Sequence, residues 1–269
     1  RDRTEAQTKD DKMNIGRSVT KGVRRAIRTV TAVAMLCVLT VASAAAQTIS
    51  LDPLTGVVWG SGNRNLVVIL HGDGGPGRYD AYADALAKAA RGTTVVTLTR
   101  PAFRYNGQKS PGQNPSKDHY TRRNNKLLAQ SLATMKSTLG AGRLIVVGHS
   151  GGAAHLGTII GAYPGIVDVA ILAACPCNVP RWRVHRRGQN NWRQSQSPHR
   201  FAAKIPRSTV VYAVTTKNDK NTLPRFASEY VGIAQKAGAN AQLIIPPSGG
   251  HGWRDYQRHV DALIRQNLR

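Results

Sequence analysis

The chain has 269 residues, of which 41% are hydrophobic and 19% are charged, a balance that excludes a disordered chain, a fibrous repeat and a coiled coil. Lys and Arg outnumber Asp and Glu by 38 to 14, so the formal net charge is +24. Such a charge favours anionic partners, namely lipid head groups, acidic polysaccharide, or a carboxylate or phosphate on a small molecule. A solvated surface shaped by Arg-rich codon usage is the alternative, and the composition leaves both open.

The segment 1–46 has the layout of an export signal. A basic stretch begins at Met13, an apolar stretch runs from about Val30 to Ala42, and Ala44 to Ala46 supply small residues at signal-peptidase spacing. This pattern predicts a secretory signal peptide cleaved after Ala46, and therefore a periplasmic or secreted protein. The apolar stretch is shorter than the roughly 20 residues of a spanning helix, so we expect no permanent membrane anchor. Residues 1–12 are interpreted as an extension before the start Met.

The remaining residues, 47–269, predict one α/β domain with a strongly basic surface. The signal segment holds nine Lys and Arg and four Asp and Glu, which leaves 29 basic against 10 acidic residues and a net charge of +19. Between Asp168 and Asp219 no acidic residue occurs. Eight basic residues of this interval stand out: Arg181, Arg183, Arg186, Arg187, Arg193, Arg200, Lys204 and Arg207.

Short β-branched runs alternate with longer helical ones from Gln47 onward. This alternation is typical of a mostly parallel central sheet flanked by helices on both faces. Strands are predicted at 65–70, 94–99, 143–147, 167–173, 209–214 and 242–245, with an antiparallel edge hairpin within 47–59. Helices are predicted at 79–90, at 120–139, from the glycines after Ser150 to about 162, at 223–237 and at 253–267.

Two stretches between these elements have loop composition. Residues 101–117 hold Gly, Pro and polar residues and predict a long surface loop. An irregular segment rich in Arg, Trp and Asn runs from Cys175 to about His199, too polar for the core and long for a simple connection. We interpret 175–207 as a basic, lid-like insertion after the sixth strand.

The cysteines and histidines give no metal site. The eight His residues are scattered, and neither His-Glu-x-x-His nor paired Cys-x-x-Cys occurs. A disulfide between Cys175 and Cys177 would span a single residue and be strained, so the two are interpreted as small residues at a strand end rather than a redox pair.

Gly148-His149-Ser150-Gly151-Gly152 fits the Gly-x-Ser-x-Gly pattern of a nucleophile elbow. Small residues on both sides of the serine let a strand turn sharply into a helix and leave the hydroxyl exposed in a strained backbone conformation. The helix N-terminus behind Ser150 would supply an N–H group and a favourable dipole for a developing oxyanion. Because the motif follows an apolar strand and opens a helix, we predict that Ser150 is a nucleophile.

A second glycine-rich loop, His71-Gly72-Asp73-Gly74-Gly75-Pro76-Gly77, follows the strand that ends at Leu70. With this loop the chain resembles the α/β-hydrolase family, from about Leu66 to the C-terminus. The resemblance implies an oxyanion hole made by the backbone N–H groups of Asp73 and Gly151. The tail of the loop is similar to the His-Gly-Gly-Pro-Gly of proline iminopeptidases, but an inserted Asp-Gly breaks that match. The loop lacks the signatures of a P-loop and of a dinucleotide site.

The general base and its acid partner are expected on loops after the last two strands. Asp219 follows the strand at 209–214, whereas Asp168 begins its strand and lies at the wrong end of the sheet. His251 lies between glycines after the last strand, and neither His149 nor His155 gains an acid partner from chain order. The order of nucleophile, acid and base along the chain matches that of α/β-hydrolases.

These features predict a serine hydrolase in which Ser150 is the nucleophile, His251 the base and Asp219 the acid. Attack on a carbonyl would give an acyl-enzyme that water cleaves, with no cofactor. Cleavage of small carboxylic esters is the first hypothesis. A peptidase or amidase of the same fold and a non-catalytic binder of anionic surfaces are the alternatives. Nucleic acid is not an expected partner of an exported protein.

Overall fold

The computed structural model describes residues 47–114 and 117–269, so the predicted export signal at 1–46 lies outside the described residues. The strands are β1 (Gln47–Leu51), β2 (Leu54–Trp59), β3 (Asn65–Leu70), β4 (Thr93–Thr99), β5 (Arg104–Tyr105), β6 (Gln108–Lys109), β7 (Leu144–His149), β8 (Val169–Ala173), β9 (Val210–Val214) and β10 (Asn240–Ile244). The α-helices are α1 (Asp80–Ala89), α2 (Arg122–Thr138), α3 (Gly151–Ala162), α4 (Val179–Arg187), α5 (Pro224–Lys236) and α6 (Trp253–Asn267).

Eight of these strands form one sheet in the order β1-β2-β4-β3-β7-β8-β9-β10. The pairs β1/β2 and β2/β4 are antiparallel, and every other neighbouring pair is parallel. The predicted mostly parallel sheet and its antiparallel edge hairpin are confirmed. Since parallel strands share one direction, their carboxyl ends meet at a single edge, where ligands of open α/β sheets bind.

The central strands are buried on both faces. All six residues of β3 are buried, which explains its uninterrupted apolar sequence. Successive side chains of β3 pack into two different hydrophobic cores: Leu66, Val68 and Leu70 belong to one, and Val67 and Ile69 to the other. This alternation follows from the period of two along a strand.

Helices cover both faces, as predicted. Helices α2, α3 and α5 contribute Leu128, Ile159 and Tyr230 to one core, whereas α1 and α6 contribute Leu86 and Tyr256 to the other. The predicted helix at 253–267 agrees in both bounds, and the helix after Ser150 ends at Ala162 as predicted. The other three differ by one to two residues at their ends because caps and last turns are weakly marked in sequence. The loop at 101–117 contains the short hairpin β5/β6, which had not been predicted.

The insertion after β8 corrects an expectation. Helix α4 begins after Asn178, whose side-chain oxygen accepts from the Arg181 N–H, and ends at Gly188 in the left-handed conformation, with a φ of 73°. Trp182 and Trp192 are 8% and 7% exposed. The prediction of an irregular segment too polar for the core was therefore wrong. The aromatic rings form a small core of their own beneath the charged surface.

The interpretation of the two cysteines was also wrong. Cys175 and Cys177 form a disulfide directly after β8, and both residues are buried. The chain bends between them so that their Cα atoms lie 5.0 Å apart, a distance that a disulfide spans. Within the described residues no helix combines the length and the apolar character needed to cross a membrane.

Candidate active site

Ser150 lies at the sharp turn between β7 and α3. Its φ of 52° and ψ of −115° place a non-glycine residue in a strained region of backbone space. A Cβ at Gly148 would lie 2.6 Å from the Gly152 carbonyl oxygen, and a Cβ at Gly152 would lie 2.0 Å from that of Leu70. Only glycine therefore allows the strand and the helix to approach this closely. The turn holds Ser150 at the carboxyl edge of the sheet.

A chain of hydrogen bonds links Ser150, His251 and Asp219. The Ser150 Oγ lies 2.9 Å from the His251 Nε2, and the His251 Nδ1 lies 2.9 Å from the Asp219 Oδ2. Because a carboxylate only accepts, Nδ1 carries the ring proton and Nε2 is left with a lone pair that accepts from the serine hydroxyl. The imidazole is thus oriented to take a proton from Ser150.

The carboxylate of Asp219 accepts hydrogen bonds on both oxygens. Besides His251, the hydroxyls of Thr222 (2.7 Å) and Tyr256 (2.9 Å) donate to Oδ2. The backbone N–H groups of Asn221 (2.8 Å) and Thr222 (2.9 Å) donate to Oδ1. Burial on its own raises the pKa of Asp219, but the hydrogen bond and charge of His251, followed by the bonds from Thr222, lower it below the ordinary aspartate value. The ionised carboxylate is therefore held in one orientation.

A second series of hydrogen bonds ends on the backbone carbonyl of His251. The Gly72 N–H donates to the Tyr79 hydroxyl (3.0 Å), which lies 2.7 Å from the His149 Nδ1. The His149 Nε2 lies 3.0 Å from the carbonyl oxygen of His251. Burial, and then the charge of His251, lower the pKa of His149 to about 4, so the ring is neutral at physiological pH. Its Nδ1 accepts from Tyr79 and its Nε2–H donates to His251.

The glycine-rich loop after β3 lies against the N-terminus of α3. The Asp73 Oδ1 lies 2.5 Å from the position that a Cβ of Gly151 would take. Neither the Asp73 N–H nor the Gly151 N–H donates a hydrogen bond to another described residue. The Asp73 carboxylate therefore adjoins the residue after Ser150, and the role of the Asp73 and Gly151 N–H groups as oxyanion donors stays a prediction.

Arg100 lies beneath this pair, fully buried at the carboxyl end of β4. Its Nη1 donates to the carbonyl oxygen of His71 (2.8 Å) and to the Asp73 Oδ1 (3.1 Å). Within the described residues its Nε and Nη2 have no hydrogen-bond partner. A buried positive charge thus lies next to the place where a substrate oxyanion would develop, where it favours negative charge.

Asp168 and His155, which were not predicted to belong to the active site, have other partners. Asp168 pairs with Lys136 (2.8 Å) and accepts from the Leu144 N–H, at the opposite end of the sheet. The His155 Nδ1 lies 2.6 Å from the Asn125 Oδ1, and its ring is buried. Neither touches Ser150.

Sequence reasoning missed four residues of this region: Thr222, Tyr256, Tyr79 and Arg100. Thr222 had a usable signal, because a hydroxyl three residues after an aspartate often donates back to it in a turn. Arg100 also had one, since it directly follows the strand predicted at 94–99, at its carboxyl end. Tyr256 lies on the amphipathic helix α6 and Tyr79 directly before α1, where a buried tyrosine resembles ordinary core.

A cavity of about 750 Å³, called the cationic cavity below, is bordered by residues that neighbour the candidate active site. Asp73, whose carboxylate adjoins Gly151, and Asn221, which donates to Asp219, both line it. The insertion contributes Trp182, Trp192, Arg183, Arg186 and Arg187. No cluster of three or more His, Cys, Asp or Glu side chains suited to a metal ion occurs in residues 47–114 and 117–269.

Comparison with known proteins agrees with this architecture. The family model described as "Alpha/beta hydrolase family" matches residues 67–264, and the chain belongs to that family. Among solved structures, it is similar to esterase PE8, with a TM-score of 0.61 and 19% identity over 80% of this chain and 100% of the other. It is also similar to a monoacylglycerol lipase of Paleococcus ferrophilus (TM-score 0.57, 15% identity, 79% and 97% coverage). An acylaminoacyl peptidase of Pyrococcus horikoshii matches with a TM-score of 0.57 and 15% identity, over 82% of this chain and 40% of its own.

At these identities the structural likeness establishes the fold alone. No match was found among curated protein sequences. The resemblance noted from the two glycine-rich motifs is thus confirmed at the level of family and fold: the protein is an alpha/beta hydrolase.

Proposed function

We propose that the protein is an exported serine hydrolase that cleaves carboxylic esters through an acyl-enzyme, with Ser150 as nucleophile, His251 as base and Asp219 as acid. The observation that carries the proposal is the chain of two 2.9 Å hydrogen bonds from the Ser150 hydroxyl through His251 to Asp219. Its geometry suits proton removal from a serine, and the strained backbone of Ser150 is what an exposed nucleophile requires.

The reaction follows from these positions. The Ser150 Oγ attacks the ester carbonyl carbon while the His251 Nε2 takes the hydroxyl proton, and the carbonyl oxygen becomes an oxyanion near the Asp73 and Gly151 N–H groups. The intermediate collapses, and the alcohol leaves with the proton from His251. Water then attacks the acyl-enzyme by the same steps in reverse, so that the acid is released and the Ser150 hydroxyl restored.

The hydrogen bonds around Asp219 favour this reaction over simple binding. A positive imidazolium forms next to an ionised carboxylate that five hydrogen bonds hold in place, so little reorganisation accompanies the proton transfer. A scaffold that only bound ligands would need neither the strained serine nor the ordered carboxylate.

The test uses a fluorophosphonate probe and 4-nitrophenyl esters of increasing acyl length. We expect the probe to label Ser150, and Ser150→Ala to lose labelling and roughly 10⁴-fold or more of the ester turnover. The matched control is Ser248→Ala, an exposed serine shortly before His251 that should change neither readout. Equal turnover by the wild type and Ser150→Ala would overturn the proposal. Absence of labelling with salt-sensitive binding to anionic vesicles would favour the non-catalytic alternative.

The cationic cavity argues against an aminopeptidase. Such an enzyme needs an acidic group for the substrate's α-amine, and the carboxylate that the described residues contribute to this lining, Asp73, already pairs with Arg100 at 3.1 Å. Arginines in the same lining would repel an ammonium group. Release of naphthylamide from amino-acid derivatives at rates above those for the esters would reverse this preference.

Export is proposed from the signal segment and is supported by the Cys175–Cys177 disulfide. Disulfides persist mainly in oxidising compartments such as the periplasm and the cell exterior. Expression of the full chain followed by fractionation and N-terminal sequencing tests the idea. We expect an exported product that begins at Gln47, and a cytoplasmic product with residue 46 still attached to residue 47 would contradict it.

A further inference from the structure

We propose that the cationic cavity binds an oxyanion group, a carboxylate or a phosphate, carried on a flat apolar part of the substrate next to the bond that is cleaved. This inference rests on the proposed function and names the class of substrate. It depends on the charges, aromatic rings and position of the cavity.

The described residues that line the cavity carry more positive than negative charge. They include Lys117, Arg183, Arg186 and Arg187, against one carboxylate, that of Asp73. Asp73 is neutralised by Arg100, and none of the four cations forms an ion pair with a residue in the described part of the chain. A concave surface with one sign of charge concentrates ions of the opposite sign.

Two of these arginines lie near one another on α4, and the opposite charge of Asp118 acts on Arg183 as well. Arg183 and Arg187 are four residues apart on α4, a spacing at which like charges repel. Burial, and then the charge of Arg187, lower the pKa of Arg183, in keeping with that repulsion. The Arg183 Nε is buried and has no partner in the described residues. An anion bound between these guanidinium groups would relieve the repulsion and supply the missing acceptor.

Aromatic rings form the other wall. Trp182 and Trp192 lie with ring centroids 5.6 Å apart, and the Arg183 Cζ lies 4.3 Å from the centroid of the Trp192 ring. Stacking of this kind fixes the guanidinium plane, and the parts of both rings that line the cavity make its wall partly apolar. A ligand that joins an oxyanion to a ring or a short apolar chain matches both features.

Two residues that line the cavity adjoin the candidate active site. The Trp182 Nε1 donates to the Asn221 Oδ1 (3.1 Å), and the Asn221 N–H donates to Asp219. On the other side, the Asp73 carboxylate adjoins Gly151. A group bound in the cavity would therefore belong to a substrate whose carbonyl can reach Ser150.

A structural role for the same arginines makes a different prediction. His185, Arg186 and Arg187 occupy the last turn of α4, where positive charge stabilises a helix through its dipole. If that were their whole role, replacing them would lower thermal stability and leave the affinity for anions unchanged. The experiment therefore measures both.

Binding is tested by calorimetry on Ser150→Ala, so that the measurement needs no turnover. We expect benzoate or phenyl phosphate to bind more tightly than benzyl alcohol, and the tighter of the two anions identifies carboxylate or phosphate as the group recognised. In the double variant Arg186→Gln/Arg187→Gln the anion should bind roughly tenfold more weakly, as expected for the loss of two exposed charges. Benzyl alcohol should bind unchanged.

The matched control is Arg200→Gln/Arg225→Gln. It removes the same charge from two exposed positions that do not line the cavity, Arg200 in the insertion and Arg225 on α5. Equal weakening by both double variants, or no preference for anions in the parent, would overturn the inference. The rates of hydrolysis of 4-nitrophenyl hydrogen glutarate and of its neutral methyl ester are then compared. This comparison tests whether the preference for an anion also appears in turnover. If neither ester is cleaved and the probe does not label Ser150, the proposed function fails while the calorimetry still decides what the cavity binds.

Discussion

The surroundings of His251 and the cationic cavity, called the two sides below, differ in whether their polar and charged groups have partners. On the side of His251, the groups that hold the base are hydrogen-bonded: five hydrogen bonds reach the Asp219 carboxylate, and His149 is bonded at both ring nitrogens. On the side of the cationic cavity, arginines face open space with no ion pair in the described residues. Asp219 and His149 thus have protein partners, whereas the arginines of the cationic cavity lack an ion-pair partner among the described residues.

The difference separates orientation from recognition. Satisfied buried networks hold side chains in one geometry, which proton transfer between fixed atoms requires. Unbalanced charge in a cavity is costly unless a ligand balances it, and its presence indicates where affinity is generated. Changes on the His251 side should therefore act on kcat, whereas changes in the cavity should act on KM and on the choice of substrate.

The largest effect should come from Asp219→Asn. An asparagine can donate to the His251 Nδ1, which stabilises the wrong tautomer and removes the lone pair that faces Ser150. In the serine protease that serves as the standard example, this change lowers kcat about 10⁴-fold, and we expect a loss of that order for ester turnover with little change in KM. The control is Asp168→Asn, whose carboxylate pairs with Lys136 at the other end of the sheet and should not affect turnover. A loss confined to KM would contradict the assignment of roles.

Acid should destabilise the protein through its buried histidines. The pKa of His149 is lowered to about 4 by burial and by His251, and burial also lowers the pKa values of His71 and His155. Between about pH 6.5 and pH 4 the unfolded chain then binds protons that the folded chain does not, so stability falls as pH falls. For His149 alone the difference is about 3 kcal/mol.

Urea unfolding across this pH range measures the effect. His149→Gln keeps a donor and an acceptor but does not titrate, so its stability should depend less steeply on pH than that of the wild type. Measurements should stay above the lower pH at which Asp219, whose pKa is lowered by its hydrogen bonds, becomes protonated. Parallel curves for the wild type and the variant would show that His149 is not the group responsible.

The two sides also differ in how far the sequence predicts them. Ser150, Asp219 and His251 follow strands directly, and the fold brings the carboxyl ends of parallel strands to one edge, so chain order was enough to expect their meeting. Their supports were not predictable, because Tyr79 and Tyr256 reach the site from the apolar faces of helices and carry no local motif. The sequence showed the charge of the insertion, but not that its tryptophans are buried beneath that charge.

The insertion also shows why the remaining errors arose. Residues 175–199 were expected to be irregular because most of them are polar, yet helix α4 needs only its Asn178 cap, Pro180 in its first turn and the buried faces of Val179 and Trp182. Two apolar anchors in a long charged segment do not produce a periodic pattern. Tertiary packing against Phe226 and Trp192 decided the structure instead.

The smallest effect should come from Tyr79→Phe, which tests whether the two sides are coupled. The Tyr79 hydroxyl accepts from Gly72, next to the predicted oxyanion donor Asp73, and donates to His149, which in turn donates to the carbonyl oxygen of His251. Burial raises the pKa of Tyr79 to about 12, so the hydroxyl stays protonated and can donate. One buried group therefore connects the loop that would bind the oxyanion to the loop that carries the base.

Removing this hydroxyl leaves a buried N–H and a buried imidazole nitrogen without partners, which costs about 1–3 kcal/mol of stability. We expect kcat to fall by a factor of roughly 10 while KM stays within about twofold, because both loops lose orientation and the cationic cavity keeps its charges. The control is Tyr82→Phe on the helix α1 that follows Tyr79, whose hydroxyl bonds, among the described residues, to Asp261 at 3.5 Å. A Tyr79→Phe variant that lost stability but kept its full kcat would show that the polar chain supports the fold and not the orientation of His251.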